Sequence, residues 1–149
     1  MQKNKLQPKQ VMLLDNQLCF ALYSTSLAMT KVYKPLLDAL GLTYPQYLVM
    51  LVLWENDGLT VSEIGERLFL DSGTLTPLLK RLQSASLITR FRDALDERRL
   101  RVNLTSEGKK LKSKVAMISG CILRATQYSA DELISLTREI KTLRMRLQS

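Results

Sequence analysis

The stretch LTVSEIGERLFLDSGTLTPLLKRL, from Leu59 to Leu82, restricts what this chain can fold into more than any other part of it. Thr60, with Glu63 three residues later, has the form of a capping box. Ile64 and Leu68 then mark one inward face of a short helix. Gly65 lies inside that helix at a cost of about 1 kcal/mol relative to alanine, which predicts that another backbone packs against it. After the break at FLDS, with Asp71 or Ser72 as N-cap, Leu75, Leu78, Leu79 and Leu82 recur at helical spacing. Two short helices meeting through a tight turn form a helix-turn-helix.

The outward face of the second helix carries Ser72, Thr74, Thr76, Lys80 and Arg81. Short hydroxyl side chains near a helix N-terminus, followed by cations, suit entry into a major groove. Pro77 falls early in the helix, where losing an N–H is least costly, and a mild kink is expected there. The period then changes from helical to two: Leu100, Val102 and Leu104 alternate with Arg99, Arg101 and Asn103. That segment pairs with LITRFR across the turn DALDE, giving a hairpin that carries Arg90, Arg92, Arg98 and Arg99. A helix-turn-helix followed by such a hairpin is a winged helix, and arginine in a slender wing suits a narrow minor groove.

Charge follows the same map. The net charge is +8, and the window from Lys80 to Lys114 holds eleven Lys or Arg against four Asp or Glu. A local excess of this kind faces a polyanion or is a solvated surface. The chain has no histidine, which removes Ser-His and Cys-His nucleophile pairs and disfavours zinc, so no metal or cofactor is expected. The longest apolar run, YLVMLVLW, is too short to span a bilayer and no targeting segment is visible. The expectation is a cytoplasmic protein that is not an enzyme and does not enter membranes.

Around this lobe the pattern is helical. The first ten residues are polar and read as loose. A long helix is expected from about Leu13 to Leu40, capped by Gly41, and a buried one after Pro45, in QYLVMLVLWEN. The last third reads as two helices. Leu111, Val115, Ile118, Ile122 and Ala125 form one stripe. Leu133, Leu136, Ile140, Leu143 and Leu147 form another, after a capping box at Ser129 and Glu132. These stripes close an intramolecular core or a dimer seam. One reading head per chain favours a homodimer spanning successive grooves of double-stranded DNA. The expected architecture is mainly α with a small β wing, a single domain over 1–149. Within it, 59–104 is the winged helix-turn-helix lobe, and 11–45 with 105–149 are dimerisation helices.

Cys19 sits on an apolar helical face, as either a core residue or a reporting thiol. The words LDNQLCFALYSTS, YKPLLDALGLTYPQYLVMLVLWE, VSEIGERLFLDSGTLTPLLKRL and DERR resemble the organic hydroperoxide resistance regulators, a thiol-based branch of the MarR family. The similarity runs from about Leu14 to Leu111; beyond it only the helical pattern matches. The resemblance implies a homodimeric repressor that binds operator DNA when reduced and releases it when organic hydroperoxides oxidise Cys19. It implies that Tyr33 and Tyr44 hold the thiolate, that 71–81 is the recognition helix, and that Asp96 and Arg98 form the wing pair. Cys121 takes the part of the resolving thiol of the two-cysteine members. On one continuous helix Tyr33 lies about 21 Å from Cys19, so the contact calls either for a break in the helix or for a partner subunit, and the partner is the expectation. Sulfenic acid at Cys19 would then condense with Cys121, expected to be the partner's. Other readings are a MarR-type regulator induced by a small apolar or phenolic ligand, a thiol peroxidase and an architectural DNA-coating protein.

Overall fold

A computed structural model describes residues 7–149, and these form eight α-helices and one antiparallel pair of strands. The order is α1 (Pro8–Val11), α2 (Leu18–Asp38), α3 (Tyr44–Glu55), α4 (Val61–Leu68), α5 (Ser72–Ser84), β1 (Ile88–Arg92), β2 (Leu100–Leu104), α6 (Ser106–Val115), α7 (Ile118–Thr126) and α8 (Ala130–Gln148). This is the mainly helical winged fold that the change of period predicts. Of the polar start, only the last four residues lie within the described chain, and α1 occupies three of them.

The core is built on α3. Thr43 caps it through the Gln46 N–H, the Gln46 side chain returns the bond, and Pro45 fits the first turn, where no N–H is needed. Apolar nearly all round, α3 buries Val49, Met50, Val52 and Leu53 against Ile64 of α4, Leu75, Leu79 and Leu82 of α5, and Ile88 and Val102 of the strands. Each such leucine contributes about 1.5–3 kcal/mol of burial. Those of α5 therefore fix its roll and leave Ser72, Thr74, Lys80 and Arg81 outside.

Local chemistry sets the reading head. Thr60 Oγ1 accepts the Glu63 N–H at 3.2 Å, the forward half of the expected capping box. Phe69 ends α4 with φ 57° and ψ 37°. The Leu70 N–H then donates to the Gly65 carbonyl at 3.0 Å. A Cβ on Gly65 would lie 2.7 Å from the Leu70 carbonyl oxygen, which is the close backbone contact expected at that glycine. Asp71 caps α5, and the helix runs unbroken through Pro77. The strands pair from Ile88 opposite Leu104 to Arg92 opposite Leu100.

Two expectations change. The long first helix does not begin near Leu13: a single 3-10 turn at Leu14–Asn16 and an extended Gln17 precede α2. The side chains of Asn16 and Gln17 donate to the Gln10, Val11 and Leu13 carbonyls, offering the backbone an alternative to helix there. The last third forms three helices rather than two. At Ala116 and Met117 the backbone keeps right-handed helical angles, so the first stripe stays in register across the break. That stripe closes the intramolecular core through Leu111, Val115, Ile118 and Ile122. The second stripe does not, because α8 buries none of its residues within the chain.

Candidate functional site

At the tip of α5, Asp71 Oδ1 accepts the Thr74 N–H at 2.7 Å, and this bond holds the carboxyl below its usual range. Ser72, Thr74, Lys80 and Arg81 are exposed together on one side of the helix. Thr76 is half-buried and its hydroxyl donates back to the Ser72 carbonyl at 2.7 Å, so only its oxygen lone pairs are free to accept.

The wing sorts its arginines. The Arg98 side chain is 91% exposed, and its Nε donates to Asp96 Oδ1 at 3.2 Å. Asp96 also accepts the Arg98 N–H and lies 3.8 Å from Arg99 Nε, so it braces the turn. Exposed pairs of this kind contribute about 1 kcal/mol or less, so Arg98 can exchange its carboxylate for a phosphate at little cost. Arg90 and Arg92 are engaged within the chain, Arg90 Nε with Gln83 Oε1 and Arg92 Nη1 with the Glu97 carbonyl. Arg101, which strand alternation puts on the basic face, folds back instead. It donates to the Gly58 carbonyl at 2.8 Å and to Asp93 Oδ2 at 3.3 Å. Asp93 is buried, and the Leu95 N–H and then Arg101 hold its carboxyl low. Arg101 thus ties the base of the wing to the loop before α4, a contact invisible to periodicity.

Cys19 is the second residue of α2 and is exposed. Since α2 runs without interruption to Asp38, Tyr33 stands about 21 Å further along the same helix. Within one chain the thiol and that phenol do not meet. Tyr33 and Tyr44 do meet: their ring centroids are 4.9 Å apart. Tyr47 joins them at 6.0 and 6.3 Å, a third phenol that sequence reading missed although it follows Tyr44 by three residues on α3.

Burial, then the neighbouring phenols, pushes Tyr33 from 10.0 up to about 12, and burial also raises Tyr44 and Tyr47. All three remain hydrogen-bond donors at neutral pH. The folded state holds the Tyr33 proton more tightly than the unfolded chain does. The stability this group contributes is therefore whole below pH 10 and declines as pH climbs from about 10 toward about 12. Tyr33→Phe is expected to flatten that decline, read as the difference in urea midpoint between pH 9 and pH 11. An unchanged slope would place the alkaline loss elsewhere.

Cys121 is half-buried on α7, and Arg124 Nη2 donates to its sulfur at 3.3 Å. Arg124 was also missed, although it lies one turn along the same helix. Beside it, between α2, α7 and α8, runs an apolar groove of about 300 Å³ lined by Met29, Val32, Ile122, Ala125, Leu133 and Leu136. Elsewhere along these helices α2 leaves Leu18, Tyr23 and Leu27 exposed, and α8 leaves Ile134, Ile140, Met145 and Leu147 exposed. Among the described residues there is no cluster of His, Cys, Asp or Glu suited to a metal, and no helix long and apolar enough to cross a membrane.

Known proteins share both sequence and shape with this chain. Residues 31–115 match the family described as transcriptional regulator SarA/Rot. The organic hydroperoxide resistance transcriptional regulator of Bacillus subtilis (strain 168) is 53% identical over 132 residues, covering 89% of this chain and 90% of that protein. The solved structure of reduced AbfR bound to DNA superposes with a TM-score of 0.79 at 35% identity, covering 96% of this chain and all of that one. Disulfide-formed AbfR gives 0.65 at 37% identity, covering 91% and 95%; AbfR is a protein of Staphylococcus epidermidis. With its winged helix-turn-helix and these relatives, the chain belongs to the organic hydroperoxide resistance branch of the MarR-type transcriptional regulators, and is a regulator rather than an enzyme.

Proposed function

We propose that the protein is a homodimeric repressor that binds double-stranded operator DNA when reduced and releases it when an organic hydroperoxide oxidises Cys19. The observation that carries this reading is the separation of Cys19, along one unbroken helix, from Tyr33, whose ring is packed against Tyr44 of α3. A second copy can bring its own thiol to Tyr33 and Tyr44, and the uncovered apolar faces of α2 and α8 are the surfaces such a copy would bury. In this arrangement 59–104 is the reading lobe, and 11–45 with 105–149 make the dimer body of a single 149-residue domain. Ser72, Thr74, Lys80 and Arg81 enter the major groove. Thr76 accepts through its free lone pairs, and Arg98, braced by Asp96 and accompanied by Arg90, Arg92 and Arg99, meets the adjoining backbone and minor groove.

The chemistry is balanced without metal or cofactor. The Cys19 thiolate attacks the peroxide O–O bond, taking one oxygen as sulfenic acid and expelling an alkoxide, which is protonated to the alcohol. The Cys121 thiol of the other subunit then attacks the sulfenic sulfur; a disulfide forms and water leaves. The disulfide pulls on α7 and α8 and shifts the two reading heads from their roughly 34 Å spacing. A reducing cytoplasm suits a disulfide that is a transient signal. That AbfR is described in both DNA-bound reduced and disulfide forms supports the reading.

The test is fluorescence anisotropy on the DNA upstream of its own gene, before and after one equivalent of cumene hydroperoxide. Wild type is expected to release the DNA and rebind after dithiothreitol, whereas Cys19→Ser stays bound. Equal release of the serine variant would overturn the reading. It would favour the alternative that the apolar groove supports, induction by a small apolar or phenolic ligand.

A further inference from the structure

We infer that Arg144 and Phe69 couple α8 to the reading head, so that the position of the C-terminal helix sets the position of α5. The inference rests on the peroxide-sensing reading and supplies its path within one chain.

Phe69 closes α4 with φ 57°, a conformation that bulky side chains rarely adopt and that surrounding contacts must hold. Phe69 is 54% exposed, and the Arg144 guanidinium carbon stands 4.3 Å from its ring centroid, a cation–π stack. Two residues further on, Asp71 caps α5, and Leu70 between them is fixed by its bond to Gly65. A displacement of the Phe69 ring therefore acts on a stiff turn and is passed to the recognition helix rather than absorbed. The other end of the lever is looser. α8 has no buried residue, and it follows α7, which carries Cys121, through the short turn at 127–129, where Gln127 is left-handed. From Ala130 to Arg144 it reaches about 21 Å. By its own chain it is thus lightly held along its length, stacked on the reading head at one end and joined to the thiol-bearing helix at the other.

Arg144 is on this basis a positioning residue that touches neither peroxide nor DNA. The test is a double-mutant cycle in the full-length protein, Arg144→Ala and Phe69→Leu, with operator affinity measured for reduced and for disulfide-oxidised protein. Each single change is expected to weaken reduced binding by about 2- to 5-fold, the range of an exposed cation–π contact. The double change should cost no more than either alone, and the ratio of reduced to oxidised affinity should narrow by the same factor. Arg144→Lys should restore part of it, with melting temperature and the rate of Cys19 oxidation unchanged. Additive losses in reduced protein, or an unaltered ratio in a wild type that does respond to peroxide, overturn the coupling. If wild type shows no difference between redox states, the sensing reading fails. The coupling is then judged on non-additivity in reduced protein alone, where additivity rejects it.

Discussion

Tyr33→Phe combined with Tyr44→Phe is expected to slow oxidation of Cys19 by an organic hydroperoxide about 10-fold, while operator affinity of the reduced protein stays within about twofold. Both phenols are protonated at neutral pH, Tyr33 most firmly, so each is a donor to an anion brought within reach. A hydrogen bond to a charged group contributes about 1.5–3 kcal/mol. Two of them at the lower end amount to about a hundredfold in the ionisation constant of the thiol, and in the population of the anion at a pH where the anion is the minor form. An anion so stabilised is also a poorer nucleophile, and roughly half of the logarithmic gain is lost on that account. A net factor of about ten remains. The rings stay in place because phenylalanine preserves the 4.9 Å packing of the pair, so the change removes donors without opening a cavity. Stopped-flow oxidation, with sulfenic acid trapped by dimedone, measures the rate. A double variant that oxidises as fast as wild type would mean that the phenols are packing only.

Gly108→Ala is expected to destabilise the protein by about 1–3 kcal/mol, although alanine is the better helix former by about 1 kcal/mol. Gly108 lies in the first turn of α6, where its N–H is accepted by Thr105 Oγ1 and its carbonyl accepts Trp54 Nε1–H at 2.9 Å. A Cβ there would overlap the Leu87 carbonyl oxygen. That carbonyl cannot retreat, because it accepts the Thr105 N–H at 3.1 Å and anchors the entry to β1. Either α6 moves outward and strains the Trp54 bond, or β1 shifts and loosens the wing. Urea unfolding reads the effect directly. A gain in stability near 1 kcal/mol would show that the junction yields and that propensity wins.

Much of the reading head was legible because its determinants are local. Thr60 and Asp71 as caps, the leucine spacing of α5, the glycine that admits Leu70 and the alternation of β2 all act over two to five residues. Hydrogen-bonding reach and burial fix structure at that range. The wing shows the limit of the same signal. Alternation put Arg101 on the basic face, but its partners, the Gly58 carbonyl and Asp93, are 43 and 8 residues away. For the proposed thiol site, sequence and resemblance supplied Cys19, Tyr33, Tyr44 and Cys121, and the expectation of a partner-subunit contact followed from the rise of a helix.

By itself the sequence determined the winged helix-turn-helix and the residues that its second helix turns outward. It also determined family membership, since 53% of the 132 aligned positions are shared with a regulator of known type. Only the tertiary structure decided that α2 starts at Leu18 and so puts Cys19 in its first turn, that Tyr47 completes a phenol cluster, and that Arg124 reaches Cys121. The same is true of the uncovered face of α8 and of Arg144 standing over Phe69. Each of these depends on which polar side chain wins a competing hydrogen bond or on the angle at which one helix crosses another. Such choices are settled by packing among residues distant in sequence, and periodicity along the chain carries no record of them.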